Sequence, residues 1–196
     1  RCDSLMLPSA MRRRFWIFWG TVLLLGGAWL PARYPDGAPP AHTGGFGEPT
    51  CQACRFGGAL NEPGGSLVIE GVPKVYRAGQ RYELTVQLTR SAMASGGLQQ
   101  AARLADGSQA GTLDPMDGRV DVIQDDSSAI QYAQHADGGT TLSMPDTVRW
   151  MFTWTPAQEE TGTVVFHATA NAANDDASAF GDFIYTVQAQ SKPSLK

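Results

Sequence analysis

The sequence predicts an all-β protein, specifically an immunoglobulin-like antiparallel β-sandwich with an irregular N-terminal arm. Short runs of alternating apolar and polar residues recur along the chain, and no apolar pattern has the period of an amphipathic helix. The 196 residues include 22 glycines and 12 prolines, which suits many short strands joined by tight turns. The cysteine–tryptophan–cysteine spacing of a true immunoglobulin domain is absent.

The strongest strand pattern is an aromatic alternation late in the chain. Every second residue from 150 to 154 is aromatic, so these side chains share one face of a strand that Pro156 ends. A second β-branched run, 163–170, follows a short polar turn, which predicts a β-hairpin covered by a second sheet. The predicted core aromatics are Trp150, Phe152, Trp154 and Phe166. Further strands are predicted over 66–70, 81–89, 98–105, 119–124, 130–135 and 182–190.

The chain divides into five predicted segments. Met11 starts a typical export signal, with three arginines followed by an uncharged apolar run over 15–30. This segment is either a cleaved signal peptide or an N-terminal anchor, and in both cases the body lies in the periplasm, on the cell surface or outside the cell. Membrane contact is expected only through this segment, if it is not cleaved. The segments are an upstream extension (1–10), the signal peptide or anchor (11–32), a Gly/Pro-rich arm (33–63), the sandwich (64–190) and a C-terminal tail (191–196).

The charge balance excludes two classes of partner. Residues 1–32 contain four of the 15 basic and one of the 19 acidic residues, so the rest carries 11 and 18, a net charge of −7. An acidic body disfavours both nucleic acid and an anionic membrane surface as ligands.

Two cysteines in the arm form a C-x-x-C pair, Cys51 and Cys54. In an exported protein this pair predicts a disulfide, which acts as a local clip because the loop that it closes is short. A thioredoxin-like redox site requires a helix behind the first cysteine, and the Gly/Pro context predicts none. Zinc would require two further ligands nearby.

An oxygen-rich loop near the C-terminus is a candidate calcium site. Its spacing differs from that of an EF-hand, and Asn and Asp are also common turn formers. The candidate ligands are Asn171, Asn174, Asp175, Asp176 and Asp182.

No catalytic motif is recognisable, whether nucleophile elbow, metalloprotease helix, phosphate loop or dinucleotide fingerprint. The sequence therefore predicts a non-enzymatic module without a cofactor. Its loops would bind an extracellular or envelope protein, or a glycan.

Several motifs resemble the bacterial secreted Reelin-like (Reeler) domain family. They are the strand 97–103 (GLQQAAR), the Trp154-Thr155-Pro156 strand end, the strand 164–171 (VVFHATAN) and the block 171–182 (NAANDDASAFGD). The resemblance covers about residues 36–188. It implies an immunoglobulin-like sandwich and no established enzymatic activity.

The same relatives often carry Cys-x-x-Cys-His near the N-terminus, the attachment motif of a c-type haem. Here Arg55 replaces the histidine, and a guanidinium offers no lone pair to iron. Another ligand would have to serve, with His42, His135, His167 or a methionine as candidates. An electron-transfer protein with covalent haem on Cys51 and Cys54 is therefore the alternative function.

Overall fold

The computed structural model describes residues 37–159, 162–176 and 178–194. The predicted upstream extension and export segment lie outside these residues. The described part is an all-β sandwich of two sheets, as the sequence predicts. No helix in the described ranges is long and apolar enough to cross a membrane.

The first sheet has four antiparallel strands in the order β1-β3-β8-β5. Its central strands are long and alternate cleanly, so one side of each is buried. The strand at one edge is short and ends in a proline, which an edge tolerates because no neighbour needs its N–H. The strands are β1 (Gly65–Glu70), β3 (Tyr82–Arg90), β5 (Thr112–Pro115) and β8 (Thr147–Thr155).

The second sheet has six strands in the order β2-β10-β9-β4-β7-β6. All neighbours are antiparallel except β2 and β10, which run parallel through Lys192 and Pro193. The strands are β2 (Val75–Tyr76), β4 (Ser95–Leu104), β6 (Val120–Gln124), β7 (Gln131–His135), β9 (Val164–Ala173) and β10 (Phe183–Pro193).

The predicted aromatic face forms the centre of the core. Trp150, Phe152 and Trp154 are fully buried between the sheets. Trp154 meets Phe166 of the opposite sheet edge to face, with ring centroids 4.9 Å apart. Each indole N–H finds a carbonyl, since Trp150 Nε1 donates to Gly139 O (2.9 Å) and Trp154 Nε1 to Ala110 O (2.8 Å). Burial of both indoles therefore leaves no unpaired donor.

The predicted hairpin of the two aromatic strands is wrong. β8 pairs with β3 and β5, whereas β9 pairs with β10 and β4 in the other sheet. Both strands carry an apolar face, and in a hairpin these faces would lie side by side. Placing the strands in opposite sheets instead makes the two faces cover each other across the core.

Two strands were not predicted, and one runs further than expected. β2 has only two residues and β5 only four, too few to show an alternation. β10 continues to Pro193, three residues beyond the predicted end of the sandwich, because its last residues pair with β2.

We expect Trp154→Ala to lower the free energy of unfolding by about 3–5 kcal/mol, because it removes a fully buried indole and leaves a cavity. Met151→Ala is the matched control on the same strand. Met151 is 38% exposed, and its truncation should cost about 0.5 kcal/mol or less. Reversible denaturant unfolding measures both, and equal effects would contradict the assignment of the faces.

Candidate functional site

The arm packs against the outer face of the six-stranded sheet and forms a third layer over it. Gln99 of β4 is fully buried there. Its Oε1 accepts from the His42 backbone N–H (2.6 Å), and its Nε2 donates to Pro39 O (2.9 Å). A separate apolar cluster, Ala101, Ile130 and Tyr132, lies on this face with Ala41 packed on it. The outer face of the six-stranded sheet is thus buried beneath the arm.

A buried charged network fastens the middle of the arm. The Arg103 guanidinium forms an ion pair with Glu48, and both side chains are about nine-tenths buried. The Tyr132 hydroxyl donates to Glu48 Oε1 (2.7 Å), and the Arg103 guanidinium donates to the Tyr132 oxygen. Burial raises the pKa of Tyr132, so its phenol stays protonated and able to donate. The sequence alone did not predict this network. The one available signal was Glu48, the single acidic residue between 37 and 61.

Beside this network, the arm covers His167 of β9. A Cβ on Gly45 would lie 2.4 Å from His167 Cγ, so only glycine allows this approach. Phe46 meets the imidazole edge to face at 5.4 Å. Burial, and to a smaller extent the positive charge of Arg103, lowers the pKa of His167.

The C-x-x-C segment forms a short turn at one end of the arm. Thr50 caps a 3₁₀ helix over Cys51–Ala53, and its side chain accepts from the Gln52 N–H. Cys51 and Cys54 are both free thiols in this structure, and the disulfide between them stays a prediction. Cys51 is half-buried by surface area, yet desolvation raises its pKa to about 12. Such a thiol lacks the thiolate that disulfide exchange requires, and it is unlike the activated cysteine of a redox enzyme.

Arg55 ties this turn to the predicted calcium loop. Its Nε lies 3.2 Å from Oδ2 of Asp182, a carboxylate whose side chain is only 3% exposed. Phe56 continues the connection, since its N–H donates to Ala179 O (2.6 Å) and its carbonyl accepts from Gly181 N–H (3.2 Å). The exposed rings of Phe56 and Phe180 contact each other beside this junction, with centroids 5.7 Å apart and planes tilted by 39°. The turn and the loop therefore form one joined edge.

The candidate calcium ligands lie together, but their oxygens are largely committed to the protein. Asp182 accepts from Asn171 Nδ2 (2.9 Å) and from Asn174 N–H (3.3 Å) in addition to its ion pair. Asp176 accepts from Asn174 Nδ2 (3.0 Å). Across the described ranges, no three His, Cys, Asp or Glu side chains are close enough to share an ion. Asn171 Oδ1 differs from the other oxygens, because it is buried and has no hydrogen-bond partner in the described chain.

A cavity of about 370 Å³ opens where the arm, the turn and the loop meet the sheet. We call it the arm cavity. Its volume lies in the range of about 300–1,000 Å³ that small-molecule and cofactor sites occupy. Gly96 and Gly97 of β4 form part of its wall and present backbone instead of side chains. Its polar lining includes His42, Cys51, Cys54, Arg55, His135, Asn171, Asn174 and Asp182.

Two histidines from polar stretches of the sequence, His42 and His135, line this cavity. His135 ends β7 and is buried, with Nδ1 at 3.0 Å from Leu98 N. His42 is half-buried in the arm, with Nδ1 at 3.1 Å from each of the carbonyl oxygens of Pro39 and Pro40. His167 lies outside the cavity lining. The fold thus brings Cys51, Cys54, His42 and His135, distant in sequence, to one site.

The comparisons with known proteins concern the fold. No protein-family model matches the sequence, and no curated protein matches it. Among solved structures, the chain is similar to AvmM, which catalyses macrocyclization in alchivemycin A biosynthesis, at TM-score 0.46 and 17% identity over 70% of this chain and 92% of that one. It is similar to the Reelin-N domain of F-spondin at TM-score 0.45 and 17% identity, over 74% and 96%. A cohesin module of a Clostridium perfringens family 33 glycoside hydrolase matches at TM-score 0.46 and 10% identity, over 67% and 98%.

We expect Glu48→Gln to loosen the arm. The change leaves the buried Arg103 charge without its counter-ion, a loss that costs about 3–5 kcal/mol where such a pair is broken. Tryptic cleavage after Arg55 should become faster than in the parent. The control Glu70→Gln neutralises an exposed carboxylate on β1 and should leave the cleavage rate unchanged. An unchanged rate in Glu48→Gln would contradict the role of the network.

We expect stability to fall as the pH drops below about 6.5, the ordinary pKa of histidine, through His167. Its folded pKa is lowered, so above 6.5 it is neutral in both states and the full stability is present. Below 6.5 the unfolded chain takes up the proton first, and stability is lost progressively until the folded pKa is passed. Denaturant unfolding at pH 7.5 and 5.5 should show a smaller loss for His167→Gln than for the parent. An equal loss would contradict this assignment.

Proposed function

We propose that this protein is an exported, non-enzymatic binding module whose ligand site is the arm cavity. The observation that carries this proposal is the arm cavity itself, a space of about 370 Å³ that polar side chains from the arm, the sheet and the loop share. A concave site of this size with a few convergent polar groups is typical of a ligand-binding site. The small residues in its wall leave room for a ligand.

The sequence supplies the compartment and the class of partner. The basic and apolar segment that starts at Met11 supports export to the periplasm, the cell surface or the medium. In that setting the ligand is an envelope or extracellular protein, or a glycan, that presents a hydrogen-bond donor to the cavity. The acidic charge balance supports neither nucleic acid nor an anionic membrane surface.

The chemistry of the cavity supports binding over catalysis. Cys51 is its half-buried thiol, and a pKa of about 12 keeps that thiol protonated at neutral pH. The Asp182 carboxylate is paired with Arg55 and with two hydrogen-bond donors, so it is poorly placed to accept a proton from a substrate.

Amide chemical shifts of the full protein test this function. Titration with soluble envelope glycans and peptides should move the amide signals of Gly96, Gly97 and Asn171. Ser95→Trp, which places an indole at the cavity wall, should abolish these shifts, whereas Ser66→Trp on the exposed side of β1 should retain them. Shifts confined to the first sheet would contradict the proposed site.

A second candidate function is electron transfer through a covalently bound haem. The observation that favours it is that both thiols and two imidazoles line one cavity. These side chains fit a c-type haem, because its attachment uses two thiols at the C-x-x-C spacing and an imidazole on iron. Cys51 and Cys54 would hold the haem through thioethers, and a bound haem supplies reversible one-electron transfer.

A further inference from the structure

We infer that His42 supplies the axial nitrogen of this haem site, in place of the residue that directly follows the second cysteine. The inference rests on the second function proposed above. In the usual motif the histidine follows the second cysteine, whereas here the histidine would lie nine residues before the first cysteine. Four observations support it, and each concerns a different part of the arm cavity.

The first observation is the hydrogen bonding of the imidazole. Nδ1 of His42 lies 3.1 Å from the oxygens of both Pro39 and Pro40. Carbonyl oxygens only accept, so Nδ1 must carry the proton and Nε2 must present a lone pair. Metal-binding histidines are typically fixed in this way, by donating the other N–H to a backbone carbonyl. Nε2 has no hydrogen-bond partner in the described part of the chain, and the ring lines the cavity.

The second observation is the separation of the donors. Cys51, Cys54, His42 and His135 share one cavity, yet no three such side chains in the described ranges are close enough to bind one ion. A single ion is therefore a poor ligand for this set. In a haem site these donors would not converge on one atom, because the thiols would bond to the porphyrin and the imidazole to the iron.

The third observation concerns Arg55. Its guanidinium is paired with the buried Asp182 carboxylate at 3.2 Å, so it is held against the loop and has no lone pair to offer iron. The arginine fastens the turn that carries both cysteines. Because the arginine cannot bind iron, the role of ligand falls to another residue.

The fourth observation separates the remaining histidines. His167 lies under Gly45 and Phe46, outside the cavity lining. His135 does line the cavity, but its Nδ1 lies 3.0 Å from the Leu98 N–H and 3.2 Å from the Leu98 oxygen, so its tautomer is not fixed by carbonyls alone. His135 is therefore not assigned as the axial ligand.

The attachment step balances without an added oxidant or reductant. Each thiol adds across a vinyl C=C bond of the porphyrin edge. The sulfur forms a bond to one vinyl carbon, and the thiol hydrogen moves to the other. Both cysteines are free thiols in this structure, which is the state that this addition needs.

The test expresses the full chain with a c-type maturation system and records its mass and absorption spectrum. We expect the parent to gain the mass of one haem and to show a Soret band. His42→Gln should lose the band or shift it, and added imidazole should restore the parent spectrum. The matched control His167→Gln should behave like the parent. Thermal unfolding of each variant verifies that it is folded.

Arg55→His distinguishes the alternatives. If His42 is the ligand, this variant should carry no more haem than the parent. A parent without haem, two hydrogens lighter than its reduced form, would overturn the inference, as would haem acquired only by Arg55→His. A haem-loaded His42→Gln with the parent spectrum would also overturn it. The chemical-shift titration uses the haem-free protein. It therefore tests the binding function independently of the haem inference.

Discussion

The structure depends on one constraint, namely that the six-stranded sheet is covered on both of its faces. Its inner face meets the aromatic strand of the opposite sheet, and its outer face carries Gln99, Arg103, Thr169 and His167. These polar groups lose water when the arm covers them, so each needs a partner from the arm or from a neighbouring strand. Glu48, the His42 backbone and the Pro39 carbonyl supply most of these partners. The arm is therefore part of the folded domain, and its cysteines have a fixed position.

This constraint also explains why the arm cavity lies at the C-x-x-C end of the arm. In the middle of the arm, ion pair, phenol and imidazole contacts bring it down onto the strands. Towards the C-x-x-C turn the sheet presents Gly96 and Gly97, which offer the arm no side chain to contact. The turn is instead fastened sideways, through Arg55 to Asp182. Space remains between the sheet and the turn, and it is lined by residues that carry thiols and imidazoles.

Sequence reasoning predicted the fold class and the buried aromatic face, because alternation shows directly which side of a strand is apolar. It failed on the partners of those strands. Alternation in β8 and β9 does not state which neighbour each one bonds to, and sequence proximity favoured a hairpin over opposite sheets. It did not show where His42 and His135 lie, because both stand in polar stretches of the sequence. Their positions depend on an arm that packs on strands up to 125 residues away in sequence, and no local pattern encodes that contact.

The position of the arm has a consequence for the order of events in biogenesis. The arm precedes every strand that it covers, and Asn61 hydrogen-bonds Thr186, 125 residues further along the chain. During synthesis the C-x-x-C turn therefore emerges long before β9 and β10, which complete the cavity around it. Contacts so distant in sequence form late in folding. Any enzyme that modifies these thiols thus meets them on an open, extended segment, and the last strands then close over the finished product.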